Sequence, residues 1–195
     1  MGAMRKLAAV AVLAVVLGAR FAPQDPQPDP ATLHRAKQLS MVDEHHARLQ
    51  KLVGEWDVVL RTAGPAGAPQ EDRGRVAAAA ILGGRYVVAN YTLGIQGAKV
   101  EAVQIFGFDT LRQLYAASWR DSLSTWSVEC AGTPAPPEGA EVVTMAGTLV
   151  DARDPTGRPF RQVLDLTDAK TVTVRLFDTR DGKESEVQVQ QWTKR

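Results

Sequence analysis

A chain of 195 residues, 45% hydrophobic and 6% aromatic, carries enough apolar side chains for one sizeable core, so disorder is not the default. Its formal charge is +1; residues 1–22 hold Arg5, Lys6 and Arg20 and no acid, which leaves 20 basic against 22 acidic residues elsewhere with no basic block. That balance argues against nucleic acid as a partner, which needs a clustered cationic footprint, and the single cysteine, Cys130, rules out an intramolecular disulfide or a multi-cysteine metal site.

Met4-Arg5-Lys6 followed by the apolar run Leu7 to Ala19 reads as a secretory signal over residues 1–22. The run is shorter than the ~20 residues a membrane-spanning helix needs, so no membrane association is expected beyond export. The expected location is periplasmic or secreted. Residues 23–31 alternate proline with polar residues, a composition that stays extended and solvated, and form a linker.

From residue 32 to 53 apolar positions recur at helical spacing, with Val42, Leu49, Leu52 and Val53 on one face. Ser40 is placed to cap a second segment that has Asp43 and Glu44 in its first turn. This amphipathic helix is expected to close one end of whatever follows. Residues 54–195 then divide into ten strand-like runs: Trp56 to Thr62, Gly74 to Leu82, Arg85 to Leu93, Lys99 to Phe108, Gln113 to Arg120, Thr125 to Ala131, Glu141 to Val150, Pro159 to Leu166, Thr171 to Phe177 and Glu184 to Thr193. Turn signals at Gly83-Gly84, Asp154 to Gly157 and Asp181-Gly182 suit tight reversals. The fold class is therefore all-β, an antiparallel up-and-down barrel of about ten strands, since closure removes exposed strand edges.

Two features bear on what the barrel holds. Ala77 to Ala80 would leave interior space along the wall, as a ligand cavity requires. Lys99 to Phe108 is apolar on both faces, with Val103 and Ile105 opposite Val100, Ala102, Phe106 and Phe108, so its outer side needs the helix or a second subunit as cover.

Gly54-Glu55-Trp56, Ile81 to Tyr86, Gly107-Phe108-Asp109, Trp119 to Thr125 and the final Trp192 to Arg195 together resemble a family of bacterial exported proteins, number fifteen seventy-nine in the domain-of-unknown-function series. The resemblance covers His45 to Arg195, apart from a lengthened loop at Thr133 to Gly139. It implies a lipocalin-like ten-stranded barrel and transfers no catalytic residue. By analogy with lipocalins it implies barrel closure by Trp56 beneath Lys194 or Arg195.

The densest polar and aromatic group is Trp119, Asp121, Ser122, Ser124, Thr125 and Trp126. These side chains either stabilise a turn through its backbone amides or form a polar rim that orients a ligand. Tyr86 and Asn90 share one face of their strand, inward or outward. The expected ligand-binding residues are Tyr86, Asn90, Phe106, Trp119, Asp121 and Ser122, and the expected partner is a small hydrophobic molecule. The alternative is an interaction or structural barrel with a filled interior, a homodimer through the doubly apolar strand. A hydrolase using Asp121 and Ser122 ranks third, because the histidines are His34, His45 and His46, all ahead of the barrel. No metal is expected, since the adjacent His45 and His46 point about 100° apart on a helix and seldom share an ion, and no cofactor is expected either.

Overall fold

Ten antiparallel strands pair in sequence order and the first closes on the last, which leaves no free sheet edge. They are β1 (Gly54–Ala63), β2 (Pro69–Ile81), β3 (Tyr86–Ile95), β4 (Ala98–Asp109), β5 (Leu114–Asp121), β6 (Val128–Gly132), β7 (Val142–Leu149), β8 (Arg158–Asp165), β9 (Thr171–Arg180) and β10 (Lys183–Lys194). The structure is a computed structural model describing residues 29–63, 68–135, 141–152 and 154–195. The signal assigned to residues 1–22, most of the linker and part of the Thr133 to Gly139 loop lie outside the described residues.

Each strand alternates because every second side chain faces the interior. In β1 these are Trp56, Val58 and Leu60; in β3 they are Val87, Ala89, Tyr91 and Leu93. The hairpins turn where the backbone must enter the left-handed region: Gln96 and Gly97 have φ of 51° and 81°, and Asp181 and Gly182 have 50° and 72°, the pattern of a two-residue hairpin turn with positive φ at both central residues.

The helical stretch ahead of the barrel runs in two segments, as its second cap implied. Pro30 already lies in α1 (Pro30–Leu39), which begins after Asp29, whose carboxylate accepts from the backbone N–H groups of Ala31 and Thr32. The second helix, α2 (Glu44–Leu49), runs on into a 3-10 turn over Gln50–Leu52. Its cap is Asp43 rather than Ser40: the Asp43 carboxylate accepts from the backbone of His45 and His46, while the Asp43 N–H donates to His46 Nδ1 in a reciprocal box.

α2 and its 3-10 turn close one end of the barrel. Leu49 and Leu52 are fully buried, Trp56 Nε1 donates to Leu52 O at 2.8 Å, and Gln50 Nε2 donates to Gly84 O at 3.0 Å. Burying a leucine side chain contributes roughly 1.5–3 kcal/mol, so this plug is a substantial part of the core. Ala77 to Ala80 belong to this end. Only Ala78 of the four is buried, where β2 packs against the 3-10 turn, and none of them faces the open cavity at the other end. Here too lie Phe106 and Phe108, and Lys194 Nζ stands 5.4 Å from the Trp56 ring centre. Arg195 turns instead towards Asp57, with its Nε 3.6 Å from Oδ1.

Candidate functional site

Aromatic rings step from the plug towards the other end. Trp56 and Trp192 have centroids 6.0 Å apart, Trp192 and Tyr91 5.6 Å, and Tyr91 and Trp119 4.9 Å, the last two edge-on. Beyond Trp119 the interior is no longer filled. A cavity of about 410 Å³ opens there, at the end away from α2. Its walls are mostly apolar: Ile95, Val100, Val128, Leu149, Phe160 and Leu176 face it from six strands. A bulge in β10 between Glu186 and Gln188 brings both Val187 and Gln188 to the lining.

Polar groups meet this apolar wall in three places. The first is the floor. Gln104 and Gln162 are 4% and 3% exposed, at inward positions of β4 and β8. The Tyr91 hydroxyl donates to Gln104 Oε1 at 2.9 Å, Gln104 Nε2 donates to Gln162 Oε1 at 3.0 Å, and the Cys130 thiol lies 3.8 Å from the same oxygen. Burial holds the Tyr91 phenol well above its ordinary pKa, so it remains a donor. Burial, helped by the Glu129 charge, pushes the Cys130 thiol up to about 12. Across the cavity, Gln190 Oε1 accepts from Trp192 Nε1 at 3.2 Å.

The second is the mouth at Asp178, which is 2% exposed. Arg158 Nε and Arg180 Nε donate to its two oxygens at 2.7 and 2.9 Å, and Arg158 also reaches Asp151 at 2.8 Å. Loss of water pushes the Asp178 carboxyl up, but the two arginine hydrogen bonds and charges outweigh it and leave the group below its ordinary value.

The third is the turn after β5. Trp119 Nε1 donates to Asp121 Oδ2 at 2.8 Å, while Leu123 N–H and Ser124 Oγ donate to Asp121 Oδ1 at 2.9 and 3.1 Å. Asp121 thus organises its turn and stands at the rim at once. Leu123 and Trp126 overhang the same rim with their side chains largely in water.

Of the expected ligand residues, Trp119 and Asp121 line the cavity. The other four do not. Tyr86 and Asn90 are exposed on the outer face of β3, because the inward phase is taken by Val87, Ala89 and Tyr91; Tyr86 lies over Gly107, where a Cβ would come within 2.6 Å of its ring. Phe106 is buried at the plugged end. Ser122 is exposed and its Oγ accepts the Glu101 N–H at 3.1 Å. His45 lies 2.9 Å from the Tyr115 hydroxyl at the start of β5, with Arg48 donating to the same oxygen, so a strand length of ~25 Å separates it from Ser122. A serine–histidine pair is not assembled. Among the described residues no group of three or more His, Cys, Asp or Glu side chains converges to hold a metal ion.

The residues missed were Gln104, Gln162, Gln190 and Asp178. For Gln104 and Gln162 the signal was present, since each is a polar residue between apolar neighbours at the inward phase of its strand; Gln190 and Asp178 have the polar Gln188 and Arg180 two residues away, which masks it.

A family model described as Protein of unknown function (DUF1579) matches residues 42–194. No curated protein matches the chain. Among solved structures, the crystal structure of Rv2717c from M. tuberculosis superposes with a TM-score of 0.58 at 12% identity, over 80% of this chain and 99% of that one. A de novo designed fluorescence-activating β-barrel gives 0.42 at 15% identity, over 80% and 100%. The first likeness shows the barrel fold.

Proposed function

The chain belongs to the family described as Protein of unknown function (DUF1579), and we propose that it is a binding protein that takes one small, largely apolar molecule into the open end of its barrel. The observation that carries this reading is the cavity. About 410 Å³ lies within the range of small-molecule pockets, roughly 300–1,000 Å³, and its composition is theirs, an apolar wall with a few convergent polar groups. The plug and the aromatic column occupy the other end of the interior among the described residues. Read with residues 1–22 as an export signal, the protein binds its ligand in the periplasm or outside the cell.

Native mass spectrometry of the purified protein, under gentle and then denaturing conditions, tests this. A specific released mass, lost in a Trp119→Ala variant that retains its circular dichroism spectrum, is the expected result. A clean apo mass from several expression hosts, accompanied by a dimer, would replace the reading with that of a self-associating barrel.

A further inference from the structure

Resting on that reading, we infer that the ligand is uncharged and carries a carbonyl-type oxygen that accepts hydrogen bonds from Gln162 and Gln190.

Gln162 Nε2 is the donor that sets this requirement. Among the described residues it is the one buried side-chain polar atom without a hydrogen-bond partner. Leaving such a donor unsatisfied is costly, so the group calls for an acceptor that the protein itself does not supply. Gln162 lines the cavity floor, so a molecule seated there can supply that acceptor.

Which end of the amide is free follows from its neighbours. The buried Tyr91 hydroxyl donates to Gln104 Oε1, so Gln104 meets Gln162 with its nitrogen. The Cys130 thiol converges on the same Gln162 oxygen. Two donors therefore fix Oε1, and the unspent group is the NH2. The second glutamine repeats the arrangement. The indole of Trp192 can only donate, so it takes Gln190 Oε1 and leaves the Gln190 amide N–H for the cavity. Both carboxamides are thus oriented by protein donors to offer N–H groups inward.

Charge selects among acceptors. No lysine, arginine or histidine is among the lining residues, whereas Asp121 and Asp178 both are. Arg158, the nearest buried cation, already spans Asp178 and Asp151. A carboxylate ligand would be desolvated beside like charges with no counterion. A ketone, aldehyde, ester or amide oxygen carries no such cost.

The test is titration calorimetry of the full-length protein with 2-acetylnaphthalene, its hydrocarbon isostere 2-isopropylnaphthalene, and 2-naphthoate. The ketone is expected to bind about fivefold to tenfold more tightly than the hydrocarbon, the equivalent of one net hydrogen bond, and 2-naphthoate most weakly. Gln162→Leu and Gln190→Leu, each checked by circular dichroism and thermal melting, should each reduce the ratio of ketone to hydrocarbon affinity. Equal binding of ketone and hydrocarbon, tightest binding of 2-naphthoate, or a preference untouched in both variants would overturn the donor assignment and leave the cavity reading standing. Binding of none of the three would remove both.

Discussion

Gln104 and Gln162, 58 residues apart in sequence, meet across the barrel interior with Nε2 to Oε1 at 3.0 Å, and Tyr91 completes the chain from the other side. A Gln104→Leu substitution would strand the Tyr91 hydroxyl and uncover the Gln162 oxygen together. Each group left unsatisfied costs ~1–3 kcal/mol, so urea denaturation should show a loss of roughly 2–6 kcal/mol. Tyr91→Phe in the same background should add little, because its partner is already gone. Additive losses from the two substitutions would mean that the chain is not a coupled network.

The same three residues show what the sequence could and could not tell. Strand periodicity located all ten strands, because alternation needs only the local pattern. It did not reveal which phase faces inward, a property of closure: Tyr86 and Asn90 share a face, yet that face is outside. The first five residues of β2, Pro69 to Arg73, carry no apolar alternation at all. They are held by the ladder to β1 and by exposed ion pairs such as Arg73 to Glu71 at 2.6 Å, so nothing in their hydropathy marks a strand. Of the alanines of β2 only Ala78 is buried, beside a plug that comes from a segment some 25 residues earlier, and no local reading joins the two. At the site, Asp121 of the aromatic and hydroxyl cluster after β5 serves both its own turn and the cavity rim. Gln104, Gln162 and Gln190, on three different strands, become a polar floor only once the barrel has closed.

The Asp178 carboxylate should govern the acid limb of stability. Its folded pKa lies below the ordinary value of about 3.9, so the native state binds fewer protons than the unfolded one through that range. The contribution is therefore full above the unfolded pKa and is lost as pH falls through the folded pKa. Asp178→Ala, which leaves Arg158 with Asp151 as its remaining close partner, is expected to cost ~1–3 kcal/mol at pH 7. The difference from wild type should shrink as the pH is lowered below 4 in chemical denaturation series. A penalty that stays constant down to pH 2 would show that the pair contributes through packing rather than charge.

The β6–β7 seam should be the barrel's weakest. The two strands share the short register Cys130 to Gly147 and Ala131 to Ala146, and they approach so closely that a Cβ on Gly147 would stand 2.1 Å from Glu129 O and one on Gly132 2.0 Å from Thr144 O. These obstacles are backbone atoms, which cannot rotate away as a side-chain tip could. Gly147→Ala is expected to destabilise by about 1–3 kcal/mol, the usual range for overpacking, and to raise amide hydrogen exchange in β6 and β7 ahead of the other strands. Uniform exchange across the ten strands would contradict a localised opening.

Cys130 provides a chemical probe of the cavity. The thiolate is the reacting species, and a thiol whose pKa is pushed up to about 12 is ionised to only roughly one part in ten thousand at pH 8. An unfolded cysteine with a pKa near 8.5 is ionised to roughly a quarter, so native alkylation by iodoacetamide should be at least a thousandfold slower than in urea, before any barrier to entry is counted. Because ionisation limits the rate, it should rise about tenfold per pH unit between 7 and 10. Cys130 lines the cavity beside Gln162, so a molecule seated there blocks the approach to Sγ, and saturating 2-acetylnaphthalene should slow alkylation further at fixed pH. Alkylation of the native protein at the unfolded rate would show that the floor is open to bulk water, which neither the buried thiol nor an unpaired Gln162 amide would survive.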